Sequence, residues 1–510
     1  MPITLERLIE HHARYRADHL AVIFADQRLS WSAFNGRVNQ LANALQERDI
    51  GKDDKVATAL PNSMELLVIY WATISVGAVL VPLSPLLNAG GLVNLLNNAD
   101  VELLFLTPEL MDKIESRLDA IEHIPTENYI RVSAREAENT DYPAFIAGHS
   151  DNPPAYPEMR QDDLFNIVYS SGTTGLPKGI MHSHLVRSHY GSHFAASFRM
   201  TPESVVLHTG SIVFNGAFVT LMPCFFLGAR YILHPHFDVE AMIETVHREQ
   251  VTHIMMVPAQ IIALLQSPNF SAQTMQSLEM LLTIGAPLQQ NYKQAVNALI
   301  PGRFYELYGL TEGFVTILDR NDFNQQSGSV GCPPPGYDIR IVGNDGQDLG
   351  PGKIGEIVGR GPALSSGYYK QPQLTRETFR DGWLYSGDLG YLDENGFLYL
   401  AGRKKELIIS GGVNVYPQDI EEIASAHEQV LEVAVFGIES EKWGETPIAA
   451  VVLQADAKLD ADALREWINS RVEARFQKVS DVLVVDQMPR NVAGKTLKNE
   501  LRDHYLENRK

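Results

Sequence analysis

Short runs of valine, isoleucine and leucine alternate with amphipathic stretches along most of the chain. No other feature restricts the fold as much. Lys55–Ala59 is followed by Ser63–Ile74 and Tyr231–Leu233 by Val239–Glu249, and further apolar runs stand at Leu103–Leu106 and Ile254–Val257. Such runs suit strands buried on both faces under crossover helices, so the pattern predicts α/β architecture with largely parallel sheets. From about Gly328 the texture changes. Gly, Pro and Asp separate short strands at Ile339–Val342, Gly355–Val358 and Phe397–Leu400, which reads as a β-rich lobe joined by turns. After Gly402 a fresh α/β pattern begins. Ile420, Ile423 and Ala424 share a helical face, Val433–Phe436 and Ile448–Leu453 read as strands, and Leu464, Trp467, Ile468 and Val472 form another helical stripe. The charged run Arg403–Glu406 marks the boundary between residues 1–402 and a small C-terminal domain over 406–510.

With 510 residues the chain is long for one core, and no internal repeat or low-complexity tract points to a solenoid. Its formal charge of −20 repels nucleic acid and anionic membranes, so nucleic-acid binding is disfavoured. An anionic ligand needs a local pocket of amides and cations that works against this field. Two cysteines, Cys224 and Cys332, are too few for a disulfide framework or a structural zinc site. A reduced, cytoplasmic compartment is the simpler expectation. The N-terminus has no basic-then-apolar secretory pattern. Leu66–Leu83 is apolar enough to raise the transmembrane question, but Thr73, Ser75, Gly77 and Pro82 favour a buried helix running into a buried strand.

Five segments carry chemistry. Tyr169–Gly179 (YSSGTTGLPKG) leaves a strand marked by Ile167 and Val168. The hydroxyls of Ser170, Ser171, Thr173 and Thr174, the turns allowed by Gly172 and Gly175, and Lys178 make a phosphate cradle that is not a Walker A loop. In Tyr305–Gly313 (YELYGLTEG), Gly309 can turn the chain, Tyr308 can stack on a base, Thr311 can bond phosphate and Glu312 can hold Mg²⁺. In Tyr385–Leu389 (YSGDL), Asp388 can accept two hydrogen bonds from ribose. Gly402–Pro417 (GRKKELIISGGVNVYP) spans the domain boundary, and in Pro489–Lys498 (PRNVAGKTLK) Gly494 precedes Lys495. Singly, each has a bland reading as a surface loop, turn or solvated charge.

In this order and at these separations, the five segments resemble the adenylate-forming superfamily, which includes acyl- and aryl-CoA synthetases. The resemblance runs from about Leu5 to Leu501. It implies an AMP-forming acyl-CoA synthetase that joins a carboxylic acid to ATP, releases pyrophosphate and passes the acyl group to CoA, with Mg²⁺ as the metal. By the family pattern Lys495 lies between carboxylate and α-phosphate, Lys178 and its loop hold the outer phosphates, and Glu312 carries the metal. Tyr308, with the neighbouring Glu306 and Leu307, would face adenine beside Gly285, Ala286 and Pro287. Asp388 and Arg403 would hold ribose. The resemblance also implies a mobile C-terminal domain that rotates between half-reactions about a hinge at 403–405, centred on Lys405, so that Gly411 and Gly412 line a pantetheine tunnel.

The sequence departs from the family at the acyl side. Asn215, within Gly210–Phe218, stands where many acyl-CoA synthetases carry a His, and it can serve only as a neutral hydrogen-bonding group. Glu306 and Leu307 stand where aryl-CoA ligases tend to have Gln-Gly, so Leu307 is expected to narrow the acyl pocket, with Val213, Phe214, Phe218 and Phe314 as further candidate walls. His182, His184, His189 and His193 invite a metal reading, but no nearby Cys or acidic ligand completes a site. The family pattern instead runs the loop into a helix, with His184 near its start. Two other readings stay open: loading of a separate acyl carrier protein, since the chain ends 15 residues after Lys495 with no carrier domain expected, and a non-catalytic nucleotide- or acyl-binding module. The identity of the acid and homodimer formation are also open.

Overall fold

The computed structural model describes residues 4–133, 141–170, 178–455, 457–490 and 496–507. An eight-stranded sheet carries, in spatial order, Val315–Leu318, Phe304–Gly309, Met280–Ile284, His253–Met256, Val205–His208, Arg230–Leu233, Leu20–Phe24 and Gln27–Ser30. Only its two outermost pairs are antiparallel. A six-stranded sheet runs Tyr129–Arg131, Val101–Leu106, Lys55–Ala59, Val79–Pro82, Leu164–Ser170 and Lys178–Ser183, parallel except for the final hairpin. Helices Trp31–Glu47, Met64–Ser75, His184–Ser197 and Asn215–Leu227 contribute to one apolar cluster that also holds side chains of both sheets. The predicted α/β class follows directly from these buried runs.

Leu66–Leu83 is a helix running into a strand. Met64–Ser75 starts where the Ser63 hydroxyl accepts the Leu66 amide at 3.0 Å, and every residue of it except Glu65 is buried. Gly77, at φ +77°, turns the chain into the buried strand Val79–Pro82. A helix apolar all round belongs in a protein core when it is this short. Among the described residues no helix is long and apolar enough to cross a membrane.

The β-rich lobe is an antiparallel sheet of Asp338–Val342, Gly355–Arg360, Trp383–Leu392, Phe379–Arg380 and Leu398–Arg403. A short 3₁₀ turn, Lys404–Glu406, leads into a further sheet of Ile408–Ser410, Val413–Val415, Val430–Ser440, Gly444–Leu453 and Asp481–Val484, which has its own apolar clusters. Two details differ from the sequence reading. The helix Ala461–Asn469 ends before Val472, which still packs against the same cluster from the following segment. The phosphate loop does not pass straight into a helix: Lys178–Ser183 first returns as a strand against Leu164–Ser170, and the helix begins at His184 with the Ser183 hydroxyl accepting the Val186 amide. Both cysteines are free thiols, Cys224 buried and Cys332 half-buried.

Several histidines are buried in this framework. Burial pushes the imidazoles of His12, His184 and His208 down to about 4, so all three are neutral at pH 7. The unfolded chain takes up their protons first, below about pH 6.5, so folding stability is full above that value and falls as pH drops toward 4. Chemical denaturation at pH 7.5 and pH 5 is expected to differ by about 1–2 kcal/mol for each such histidine. His184→Gln should reduce that difference; equal stability at the two pH values would contradict the burial argument.

Candidate active site

The parallel register sets Ile284 beside Leu307, so the turns that follow these two strands emerge side by side at their carboxyl ends. Open parallel sheets bind ligands at this edge. Gly285, exposed and at φ +95°, has only a Val257 methyl 3.9 Å from where a Cβ would stand, so the Gly285–Ala286–Pro287 turn faces open space. Next to it the half-buried Tyr308 ring lies 6.2 Å from that of Phe314. Its hydroxyl donates to Asp388 Oδ2 at 2.9 Å. Arg403 Nε approaches Asp388 Oδ1 at 3.1 Å, the two residues being register partners in the antiparallel lobe. Burial, and then the Asp388 carboxylate, push the Tyr308 phenol well up, so it remains a donor. Gly309 is required here because a Cβ would stand 2.7 Å from the Phe314 carbonyl oxygen.

A second cluster forms around Tyr368. Its hydroxyl donates to Glu312 Oε1 at 2.8 Å, and Lys178 Nζ lies 5.6 Å from the centre of its ring. Burial and the Glu312 carboxylate push this phenol up as well. The Thr311 carbonyl accepts a hydrogen bond from His182 Nε2 at 2.8 Å, and the Glu312 carbonyl accepts the Ser365 amide at 2.8 Å. Thr311 and Glu312, Lys178 and Tyr368 are therefore brought together from three backbone segments. Of the phosphate-loop segment Tyr169, Ser170, Lys178 and Gly179 are described, Ser170 paired in register with Lys178; Ser171, Gly172, Thr173, Thr174 and Gly175 lie outside the described residues. Glu312 fits a Mg²⁺ ligand: a carboxylate is a hard oxygen donor with several lone pairs, and Tyr368 uses one of them. Tyr368 belongs to no motif read from the sequence.

On the acyl side the structure separates the candidates. Phe214 and Asn215, at the start of the helix Asn215–Leu227, are partly exposed, and nothing lies within 4 Å of a Cβ built on Gly216. Val213, Phe218, Leu307 and Phe314 are instead core residues at 2%, 1%, 5% and 0% exposure. Phe218 stacks on Tyr70 and Leu307 sits between Ile284 and Ile317, so these side chains are packed into the core. Glu306 is likewise buried, in an ion pair with Lys293 of the helix Gln290–Leu299. Burial raises the Glu306 carboxyl and Lys293 opposes that rise.

Gly411 and Gly412, at φ +61° and +80°, form the exposed tip of the hairpin between Ile408–Ser410 and Val413–Val415. Lys405 lies in the exposed 3₁₀ turn after Arg403. Lys495 lies outside the described residues, between Arg490 and Thr496, which form a β-bridge. His189 and His193 pack ring against ring at 5.1 Å, whereas His182 and His184 are buried and hydrogen-bonded elsewhere.

Two family models match the chain: AMP-binding enzyme over residues 9–369 and AMP-binding enzyme C-terminal domain over 419–495. Indoleacetate–CoA ligase from Aromatoleum aromaticum is 31% identical over 98% of this chain and 97% of its own. Feruloyl-CoA synthase from an Amycolatopsis species is 31% identical, covering 97% of each. The crystal structure of ATP-bound MatB from Rhodopseudomonas palustris superposes with a TM-score of 0.91, at 30% identity and 99% coverage of both chains.

The Asp388 geometry makes a graded prediction. A hydrogen bond to a charged group is worth about 1.5–3 kcal/mol, so Asp388→Ala should weaken ATP binding about 10- to 100-fold in calorimetric titration. Tyr308→Phe leaves Arg403 holding the carboxylate and should cost less than tenfold. Unaltered ATP affinity in Asp388→Ala would mean that this carboxylate does not face the nucleotide.

Proposed function

The chain belongs to the AMP-binding enzyme family of AMP-forming acid–thiol ligases, and from that premise we propose that it converts a carboxylic acid, ATP and CoA to an acyl-CoA, AMP and pyrophosphate. The observation that carries this reading is the meeting of Tyr308, Asp388 and Arg403 beside the Gly285–Pro287 turn, next to Glu312 and Lys178. On this reading Tyr308 supplies a base-stacking surface, Asp388 a ribose acceptor, and Lys178 with Glu312 the phosphate end.

In the first half-reaction a carboxylate oxygen attacks the α-phosphorus, the bond to the pyrophosphate oxygen breaks, and acyl-AMP forms. The approach joins two anions, and unit charges 4 Å apart interact by about 4 kcal/mol at an effective dielectric near 20. A lysine between them offsets a term of that size, and we assign that role to Lys495. Lys178 and the loop before it hold the β- and γ-phosphates. Glu312 would hold Mg²⁺, which supplies charge neutralisation to the phosphates. In the second half-reaction the CoA sulfur attacks the acyl carbonyl carbon, AMP departs, and the thiol proton is released.

We place the hinge at 403–405, between a domain over 1–402 and one over 406–510. In the state described the Gly411–Gly412 tip is exposed. Rotation about Lys405 would carry it to the acyl-adenylate, where two glycines let the backbone lie close to pantetheine. The packed layer of Val213, Leu307, Phe218 and Phe314 supports a compact acid as the substrate.

Two variants test the assignment. Lys495→Ala should abolish acyl-adenylate formation, on the order of 10²–10³ in rate, while sparing thioester formation from supplied acyl-adenylate. Lys405→Pro should do the reverse. Equal loss of both half-reactions in Lys495→Ala would overturn the lysine's role, and unchanged transfer in Lys405→Pro would put the hinge elsewhere.

A further inference from the structure

Arg187, in the helix His184–Ser197, is fully buried at 0% exposure. Its Nε and Nη2 donate to Asn166 Oδ1 at 3.2 and 3.1 Å, and Nη2 also reaches Asn215 Oδ1 at 2.9 Å and His182 Nδ1 at 3.2 Å. The guanidinium lies over the rings of Phe218 and Tyr190, 4.3 and 4.7 Å from their centres. No carboxylate among the described residues stands within ion-pair distance of it, and Nη1 has no hydrogen-bond partner. Burial lowers the group to about 10, which leaves it charged at neutral pH. A buried cation without an anion is costly in any protein and needs a compensating use.

The chemistry of the partners fixes their orientation. Arginine only donates, so Asn215 must turn Oδ1 toward it and Nδ2 away. Nδ2 then donates one hydrogen to the Tyr190 hydroxyl at 3.2 Å, which leaves its second N–H for a ligand. The Thr311 carbonyl only accepts, so His182 carries its proton on Nε2 and offers the Nδ1 lone pair to Arg187. Burial, followed by the Arg187 charge, keeps His182 neutral. One guanidinium thus connects the partly exposed Asn215, at the acyl side, with the backbone of Thr311 beside Glu312, at the phosphate side.

We propose that Arg187 is a positioning residue for adenylation: it presents the Asn215 amide N–H to an acceptor oxygen of the acyl substrate and, through His182, holds the Thr311 segment in register with it. The inference rests on the proposed function. It goes beyond that reading by assigning the acyl-side recognition to a neutral donor whose direction is set from behind by a buried charge. The anions that offset this charge are the carboxylate and phosphates of the bound substrates.

The test uses the full-length protein, with ATP–pyrophosphate exchange measured over a panel of carboxylic acids. Asn215→Asp gives the buried guanidinium a carboxylate and removes the N–H donor. It should fold with a melting temperature at or above that of wild type, yet raise KM for the acid at least tenfold while changing KM for ATP less than twofold. Arg187→Lys, which cannot reach Asn166, His182 and Asn215 together, should raise KM for the acid and lower kcat. Arg187→Met, compared at a temperature well below its own melting transition, should exceed Arg187→Lys in both effects. A KM for the acid within twofold of wild type in Asn215→Asp would overturn the proposal, as would equal changes in the two KM values. Wild-type protein that exchanges pyrophosphate with no acid would overturn the functional reading, and this inference with it.

Discussion

The hydrogen bond from Tyr308 to Asp388 ties together two parts of the chain that fold by different rules. Tyr308 ends a strand of a mostly parallel sheet, placed there by crossover connections that need helices on both faces. Asp388 sits in an antiparallel lobe built from hairpins. The two parts share one apolar cluster, in which Ile341, Ile357, Leu384 and Leu398 of the lobe join Tyr305, Leu307 and Phe314 of the sheet, and the proposed nucleotide site draws on both. Once the phenol and the carboxylate meet, Arg403 is fixed by its register with Asp388, and the chain then leaves the lobe through the 3₁₀ turn at Lys404–Glu406. The proposed ribose end and the exit to the C-terminal sheet thus meet at one contact.

Electrostatics impose the second constraint. A chain of net charge −20 must gather anionic substrates. Long-range attraction works against it, so on the proposed reading the gathering groups are short-ranged and local: the Lys178 ammonium beside Tyr368, the Arg403 guanidinium on Asp388, and the buried Arg187 behind Asn215. Low local dielectric strengthens this effect most for Arg187, which is fully buried, and less for Arg403, whose side chain is 41% exposed. Lys293 has a different role. It is closed against Glu306, and its charge serves the packing of a helix on the sheet.

Much of this was legible in the sequence because it is encoded locally. The strand–helix alternation, the buried helix and strand of Leu66–Leu83, and the glycine turn at 285 all depend on neighbours within a few residues. Contacts across long sequence separations left no such mark. Tyr368 meets Glu312 from 56 residues away, and Asn215 meets Arg187 from 28. Glu306 and Leu307 directly precede Tyr308 in sequence, yet one is claimed by Lys293 and the other by the sheet core, because successive side chains of a strand point to opposite faces. Phe218 and Phe314 are likewise packed into the core, at 1% and 0% exposure.

The central claim is that a carboxylate oxygen bonds to the α-phosphorus of ATP, and isotope transfer tests it without reference to any one residue. Full-length protein is incubated with ATP, Mg²⁺, CoA and a turned-over carboxylic acid labelled with ¹⁸O in both carboxyl oxygens, and the products are weighed by mass spectrometry. Attack at the α-phosphorus followed by thiol capture predicts one ¹⁸O in AMP, one in the acyl-CoA carbonyl and none in pyrophosphate. Label in inorganic phosphate, with ADP as the nucleotide product, would mean attack at the γ-phosphorus and would contradict the account.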